Sequence, residues 1–138
     1  MAVERTLILV KPDAMARRLA GEIIGRFERR GLSVVAARLV NVDEHLAGRH
    51  YEEHNEKPFF GELIEFITSG PTLALALEGE GAIAVCRRTM GATDPAAADP
   101  GTIRGDLAVS MPDNLVHGSD SLETAAAEVA LWFGDELA

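Results

Sequence analysis

Thr6 to Val10 reads TLILV, an uninterrupted β-favouring apolar run, and Pro12 ends it because proline has no amide with which to continue a strand ladder. Such a run suits a central strand, and the rest of the chain has to assemble around it. The following segments alternate in period. From Gly21 to Arg30, Ile23, Ile24 and Phe27 fall at helical spacing among charges, with Gly31 placed as a C-terminal stop. Ser33 to Val42 is rich in valine and reads as a second strand, after which Asp43 caps a short helix running toward Tyr51. Phe59 to Ile67 is helical again through Phe59, Leu63, Phe66 and Ile67, and Ser69, Gly70 and Pro71 close it.

In Thr72 to Leu77, large Leu73, Leu75 and Leu77 alternate with Ala74 and Ala76, the period of a strand with its bulky face on the core. Gly79 to Gly81 then turn the chain into a helix over Ala82 to Met90. From Gly91 to Asn114 periodicity disappears and Gly, Pro, Asp and Thr dominate, which predicts a long functional or mobile loop before the last strand. Leu115 to His117 fits that short strand. Asp120 and Glu123 have the spacing of a capping box, opening a final helix that buries Ala126, Val129, Ala130 and Phe133. Strands and helices in this order predict an α+β fold, a ferredoxin-like antiparallel sheet covered by helices.

The length of 138 residues, 47% apolar, predicts one domain over residues 1–138 with a core of its own. Cys86 is the only cysteine, so no intramolecular disulfide is expected; no apolar run reaches the roughly 18 residues of a membrane span. With an N-terminus that lacks the basic start and long apolar centre of a signal peptide, this predicts a cytoplasmic protein. A formal charge of -9 argues against broad electrostatic binding to nucleic acid or to anionic lipid.

Four histidines offer chemistry. His50 and His54 have the i, i+4 spacing of two metal ligands on a helix, but the stretch they share with His45 is polar and reads best as a solvated helix face. His117 follows Leu115 and Val116 and precedes Gly118, at the end of a strand with an open face. There an imidazole serves either as a nucleophile or as a turn histidine bonded to the backbone. Gly79, Gly81 and Ala84 fit G-x-G-x-x-A, yet Glu78 and Glu80 would flank a pyrophosphate with negative charge, so the pattern reads as a tight turn before a helix. There is no P-loop motif, and phosphates would need discrete cations: Lys11 at a strand end, Arg87 late in a helix, Arg104 in the long loop.

Taken in order, ERTLILVKPD, KPFFGELIEFITSGP, MGATDPAAADPGTIRGD and NLVHGSDS resemble the nucleoside diphosphate kinase family from Glu4 to Phe133. The resemblance implies a βαββαβ core with added helices, and ping-pong transfer of a γ-phosphoryl group from ATP or another nucleoside triphosphate to a nucleoside diphosphate. It further implies His117 as the nucleophile that becomes phosphohistidine, Glu128 as the carboxylate on the other imidazole nitrogen, and Ser119 as a hydroxyl beside that carboxylate. By the same resemblance Lys11, Arg87, Thr93 and Arg104 are phosphate ligands, and Tyr51 is the phenol beside the transferred group. Phe59 is the ring on which the base stacks; Asn114 and Lys11 contact the sugar hydroxyl. The resemblance implies Mg²⁺ bridging the β and γ phosphates, not a dedicated protein cage, and a homo-oligomer, hexamer or tetramer. Met111, Pro112 and Asp113 stand before Asn114 where many relatives have a glycine and often a basic residue. The alternative is a non-catalytic ferredoxin-like nucleotide-binding or assembly module, against which the intact His117, Lys11, Arg104, Asn114 and Glu128 weigh.

Overall fold

The computed structural model describes residues 2–137. Its elements in chain order are β1 (Val3–Val10), α1 (Pro12–Ala16), α2 (Ala20–Arg29), β2 (Ser33–Asn41), α3 (Glu44–His50), α4 (Phe60–Ile67), β3 (Pro71–Glu80), α5 (Ala82–Met90), α6 (Ile103–Leu107), β4 (Val116–Gly118) and α7 (Leu122–Phe133), with 3-10 turns at Glu52–His54, Pro95–Ala97 and Gly134–Leu137. The four strands form one antiparallel sheet in the order β2-β3-β1-β4, so the apolar run of β1 lies inside the sheet as its sequence requires. This is the expected ferredoxin-like α+β arrangement.

Register divides the core into two layers. Ile8 faces Leu75 and Val10 faces Leu73 across the β1–β3 ladder, and these residues pack under Ile23 and Phe27 of α2 and Cys86 and Met90 of α5. Leu7 faces Ala76 and Leu9 faces Ala74 on the opposite surface, where α3, α4 and α7 bring Ala47, Ile67, Val129, Trp132 and Phe133. Both faces of β3 are therefore buried. The alternation of leucine and alanine does not mark core against solvent; the alanines make room for the two aromatic rings of α7 on a second core.

Three further expectations are corrected. The segment 91–114 is not structureless: Thr102 caps α6 by accepting from Gly105 N at 2.9 Å, and Arg26 of α2 holds Asp106 at 2.8 Å and Thr102 O at 3.3 Å. A Cβ at position 105 would collide with the Asp99 carbonyl, which accounts for the glycine after Arg104. The cap of α7 is Ser121, whose hydroxyl accepts from Thr124 N at 3.1 Å, not Asp120. The inward face of α7 runs through Ala125, Val129, Trp132 and Phe133, at i, i+4, i+7 and i+8, and leaves Ala126 and Ala130 exposed. Finally, β4 begins at Val116, because buried Leu115 adopts a left-handed φ of 73° that no strand residue shares. The turn expected over Gly79 to Gly81 is confined to Gly81: Gly79 and Glu80 still pair in β3, and Gly81, at φ 58°, is the N-cap of α5.

Candidate active site

His117 lies opposite Leu9 in the β1–β4 ladder, and directly opposed residues project to the same side of a sheet. Its imidazole therefore emerges on the face covered by α3 and α7. There Nε2 is 3.0 Å from Glu128 Oε1, and Ser119 Oγ donates to that same oxygen at 2.6 Å. Burial works to raise the Glu128 pKa, but the bonds from His117 and Ser119 overcome it and hold the carboxyl below its ordinary range. An ionised carboxylate only accepts, so His117 Nε2 carries the proton and Nδ1 keeps its lone pair. Ser119 is fixed in turn, accepting from Leu7 N at 3.3 Å.

The cations gather around the backbone of 114–118. Arg104 is 3% exposed, and its guanidinium donates to three carbonyls: Asn114 O at 3.1 Å, Gly91 O at 2.9 Å and Val116 O at 2.6 Å. Burial, helped by the charge of Arg87, lowers its pKa to about 10, which still leaves it a cation at neutral pH. Arg87 donates to Gly118 O at 3.3 Å. Lys11, at the end of β1, donates to Asn114 Oδ1 and lies 5.2 Å from the centre of the Phe66 ring. Its pKa is lowered to about 8, chiefly by burial, with Asp13 raising it and Arg104 lowering it. Asn114 Nδ2 donates to Thr93 O at 2.8 Å, so Thr93 meets the cluster through its backbone. Asp13 Oδ2 accepts from Leu115 N at 3.0 Å while Lys11 N donates to Leu115 O at 2.9 Å, and these two bonds pin the left-handed residue that leads into β4.

Tyr51 follows α3, half-buried, with its pKa pushed up to about 12 by burial and by Glu128. Phe59 stands before α4, 42% exposed, its ring 5.7 Å from His54 and 5.6 Å from Lys57 Nζ. Fold and register thus bring His117, Glu128 and Ser119 into one hydrogen-bonded group, and Lys11, Asn114, Thr93, Arg104 and Arg87 into a linked second group around the same strand.

One expectation fails here. His50 is not on a solvated helix face: its side chain is 1% exposed, its ring centre is 4.6 Å from that of His117, and Trp132 Nε1 donates to its Nδ1 at 3.1 Å. The usable signal was its three-residue spacing from buried Ala47, in place of its four-residue spacing from His54. Trp132 and Asp13 were not singled out from the sequence, and Phe66, read there only as an apolar helix residue, lies against Lys11. His45 is exposed as expected, and His54 pairs only loosely with Glu53 at 3.6 Å. His50, His117 and Glu128 are the only trio of potential metal ligands among the described residues, and each is already engaged in hydrogen bonds with protein partners.

The arrangement offers an unprotonated ring nitrogen on His117 and cations held along the same strand, the kinds of group that phosphoryl transfer uses. The family profile described as nucleoside diphosphate kinase matches residues 4–137. A nucleoside diphosphate kinase from Rubrobacter xylanophilus is 62% identical over 132 residues, 96% of this chain and 99% of that one. One from Mycobacterium sp. is 61% identical, covering 94% and 96%. Among solved structures, a halophilic nucleoside diphosphate kinase from Halobacterium salinarum in complex with CDP superposes with a TM-score of 0.94 at 47% identity, covering 98% of this chain and 90% of that one.

Proposed function

Because the chain belongs to the nucleoside diphosphate kinase family, and transfers a γ-phosphoryl group from a nucleoside triphosphate to a nucleoside diphosphate, we propose that His117 carries the group between them. The observation that carries this reading is the 3.0 Å bond of Nε2 to Glu128, which leaves Nδ1 as the free nucleophile. Nδ1 attacks the γ-phosphorus, a P–N bond forms, and the bond from phosphorus to the β–γ bridging oxygen breaks with its electrons on the departing diphosphate. Glu128, braced by Ser119, faces the positive charge that develops on the ring. A terminal oxygen of a second diphosphate then attacks the phosphohistidine, and the same steps run in reverse.

Phosphoryl transfer asks for positioning and for charge around the transferred group. Lys11, Arg87 and Arg104 supply cations, Thr93 and Tyr51 supply hydroxyls, and Asn114 with Lys11 holds the sugar hydroxyl. Phe59 stacks the base, and stacking accepts any base because each has a π-face. Mg²⁺, when bound, would be held mainly by the phosphates of the nucleotide rather than by protein ligands, and would neutralise part of their charge. The donor set fits that role, since the cleft is lined by cations and amides and its one histidine–carboxylate trio is committed to hydrogen bonds.

Residues 1–138 act as one domain in this reading, supported by two core layers on a single sheet. No helix among the described residues is long and apolar enough to cross a membrane. Cytoplasmic residence is supported by the free, buried Cys86 thiol. Assembly into a homo-oligomer, hexamer or tetramer, is supported by β2, which pairs only with β3 among the described strands and exposes Val34, Val35 and Leu39. Initial rates with ATP and a pyrimidine diphosphate, both varied, should give parallel double-reciprocal lines. Intersecting lines would rule out a covalent carrier.

A further inference from the structure

His50 sits closer to the centre of the site than any role so far given to it requires. Its ring meets that of His117 edge to face, centroids 4.6 Å apart at 78°, and that of Tyr51 at 4.8 Å. The indole of Trp132 donates to His50 Nδ1 at 3.1 Å, and an indole N–H only donates. Nδ1 is therefore an acceptor, and the imidazole is the neutral tautomer with its proton on Nε2. Glu128 Oε2 lies 4.0 Å from the same Nδ1, within reach of a charged His50 but outside hydrogen-bond distance.

We propose that His50, kept neutral by burial and by the Trp132 bond to Nδ1, is a positioning residue for His117: it braces the ring so that Nδ1 faces the cleft, and it leaves Glu128 undivided for His117. This rests on His117 being the phosphoryl carrier. A single bond from Nε2 to Glu128 fixes one end of the His117 ring but not its plane, and the buried His50 ring supplies that second constraint. Charge on His50 would undo both functions, drawing Glu128 away and repelling the cationic stage of His117. The titratable and charged groups around it are His117 from β4, Glu128 from α7, Lys11 at the end of β1, His54 and neighbouring Tyr51, with Arg49, Glu52, Glu53 and Glu123 lining the cavity that His50 shares with Glu128. Burial and the proximity of His117 hold its pKa at about 3, so the neutral form persists across the working range.

Three variants separate this from a filler role. His50→Asn, which keeps an acceptor for the indole but not the ring, should lower kcat about 10- to 100-fold with little change in nucleotide KM, the loss expected from misalignment alone. Trp132→Phe keeps an aromatic ring but removes the indole N–H and so frees Nδ1 to take a proton, so its acid limb of kcat should move to higher pH than in the parent; the double variant should lose that displaced limb. A rise in KM at unchanged kcat for His50→Asn, or a parental pH profile for Trp132→Phe, overturns the proposal. If His50→Asn does not fold, ¹⁵N spectra of the parent decide: His50 must show a protonated Nε2 and bare Nδ1 from pH 6 to 8, and a second proton in that range overturns it. Failure of the parent to take up acid-labile phosphate from ATP would instead remove the carrier reading itself. Uptake by the parent and by His50→Asn at equal rates would remove only the positioning role.

Discussion

His117 and Glu128 meet through Nε2 and Oε1 at 3.0 Å, and they belong to elements that sequence order alone does not bring together, the short strand β4 and the second turn of α7. The contact exists because the ladder with β1 turns His117 toward the face on which α7 packs. Glu128→Gln keeps the shape of the carboxylate and removes its charge. It should slow phosphorylation of the enzyme by ATP about 100-fold, the scale for loss of one preorganised electrostatic partner, as measured by rapid quench. Thermal stability should change little by comparison.

Lys11 gives a basic limb with a defined direction. Its pKa is held near 8 by burial, and in the proposed site the protonated form is the one that would face phosphate, so kcat/KM for nucleotides should fall as pH rises through about 8 in the free enzyme. The contribution of Lys11 to stability runs the other way. Between about 8 and its ordinary value of 10.5 the unfolded chain binds more protons than the folded one, so stability from this group rises with pH there. Lys11→Arg should move the kcat/KM limb beyond the measurable range, even if the maximum is lower.

Arg104, a cation of the proposed nucleotide site, is also the clamp that joins Gly91, Asn114 and Val116. Arg104→Ala leaves two buried carbonyls and a partly buried one without that donor and should destabilise the fold by roughly 3 kcal/mol or more. Arg104→Lys keeps a charge without the planar fork and should recover only part of the loss. Denaturant titration reads both effects, and activity should disappear in both variants before the fold does.

Phe59, exposed before α4, has little to contribute to the core. Phe59→Ala should weaken binding by about 1–3 kcal/mol for purine and pyrimidine diphosphates alike, with an unchanged melting temperature. A loss confined to one base in calorimetric titration would mean that the site reads base edges.

Much of this was legible in the chain. TLILV placed β1 in the interior of the sheet, Asp43 capped α3 by accepting from Leu46 N at 2.8 Å, and the order of periods predicted the antiparallel topology. What escaped depends on contacts distant in sequence. The loop 91–114 has no period of its own because its order is supplied from outside, by Arg26 on Asp106 and by Arg17 on Leu107 O at 2.6 Å. Ser121 displaced Asp120 as the cap of α7, and Ala125 and Trp132 took the buried side in place of Ala126 and Ala130 because the core they meet is formed by strands distant in sequence. That face also decides which residues α7 offers to the site, since Trp132 meets His50. A histidine among glutamates and arginines reads as solvated until the helix packing it against β4 is known.

The most direct test of the account is the fate of the γ-phosphate itself. The protein is incubated with Mg²⁺ and γ-labelled ATP, freed of nucleotide, and then offered GDP or a pyrimidine diphosphate. We predict acid-labile, base-stable label on the chain, removed by any of the diphosphates and absent from His117→Gln. Label that persists in His117→Gln, or parent protein that turns over nucleotides without ever carrying label, would contradict His117 as the carrier.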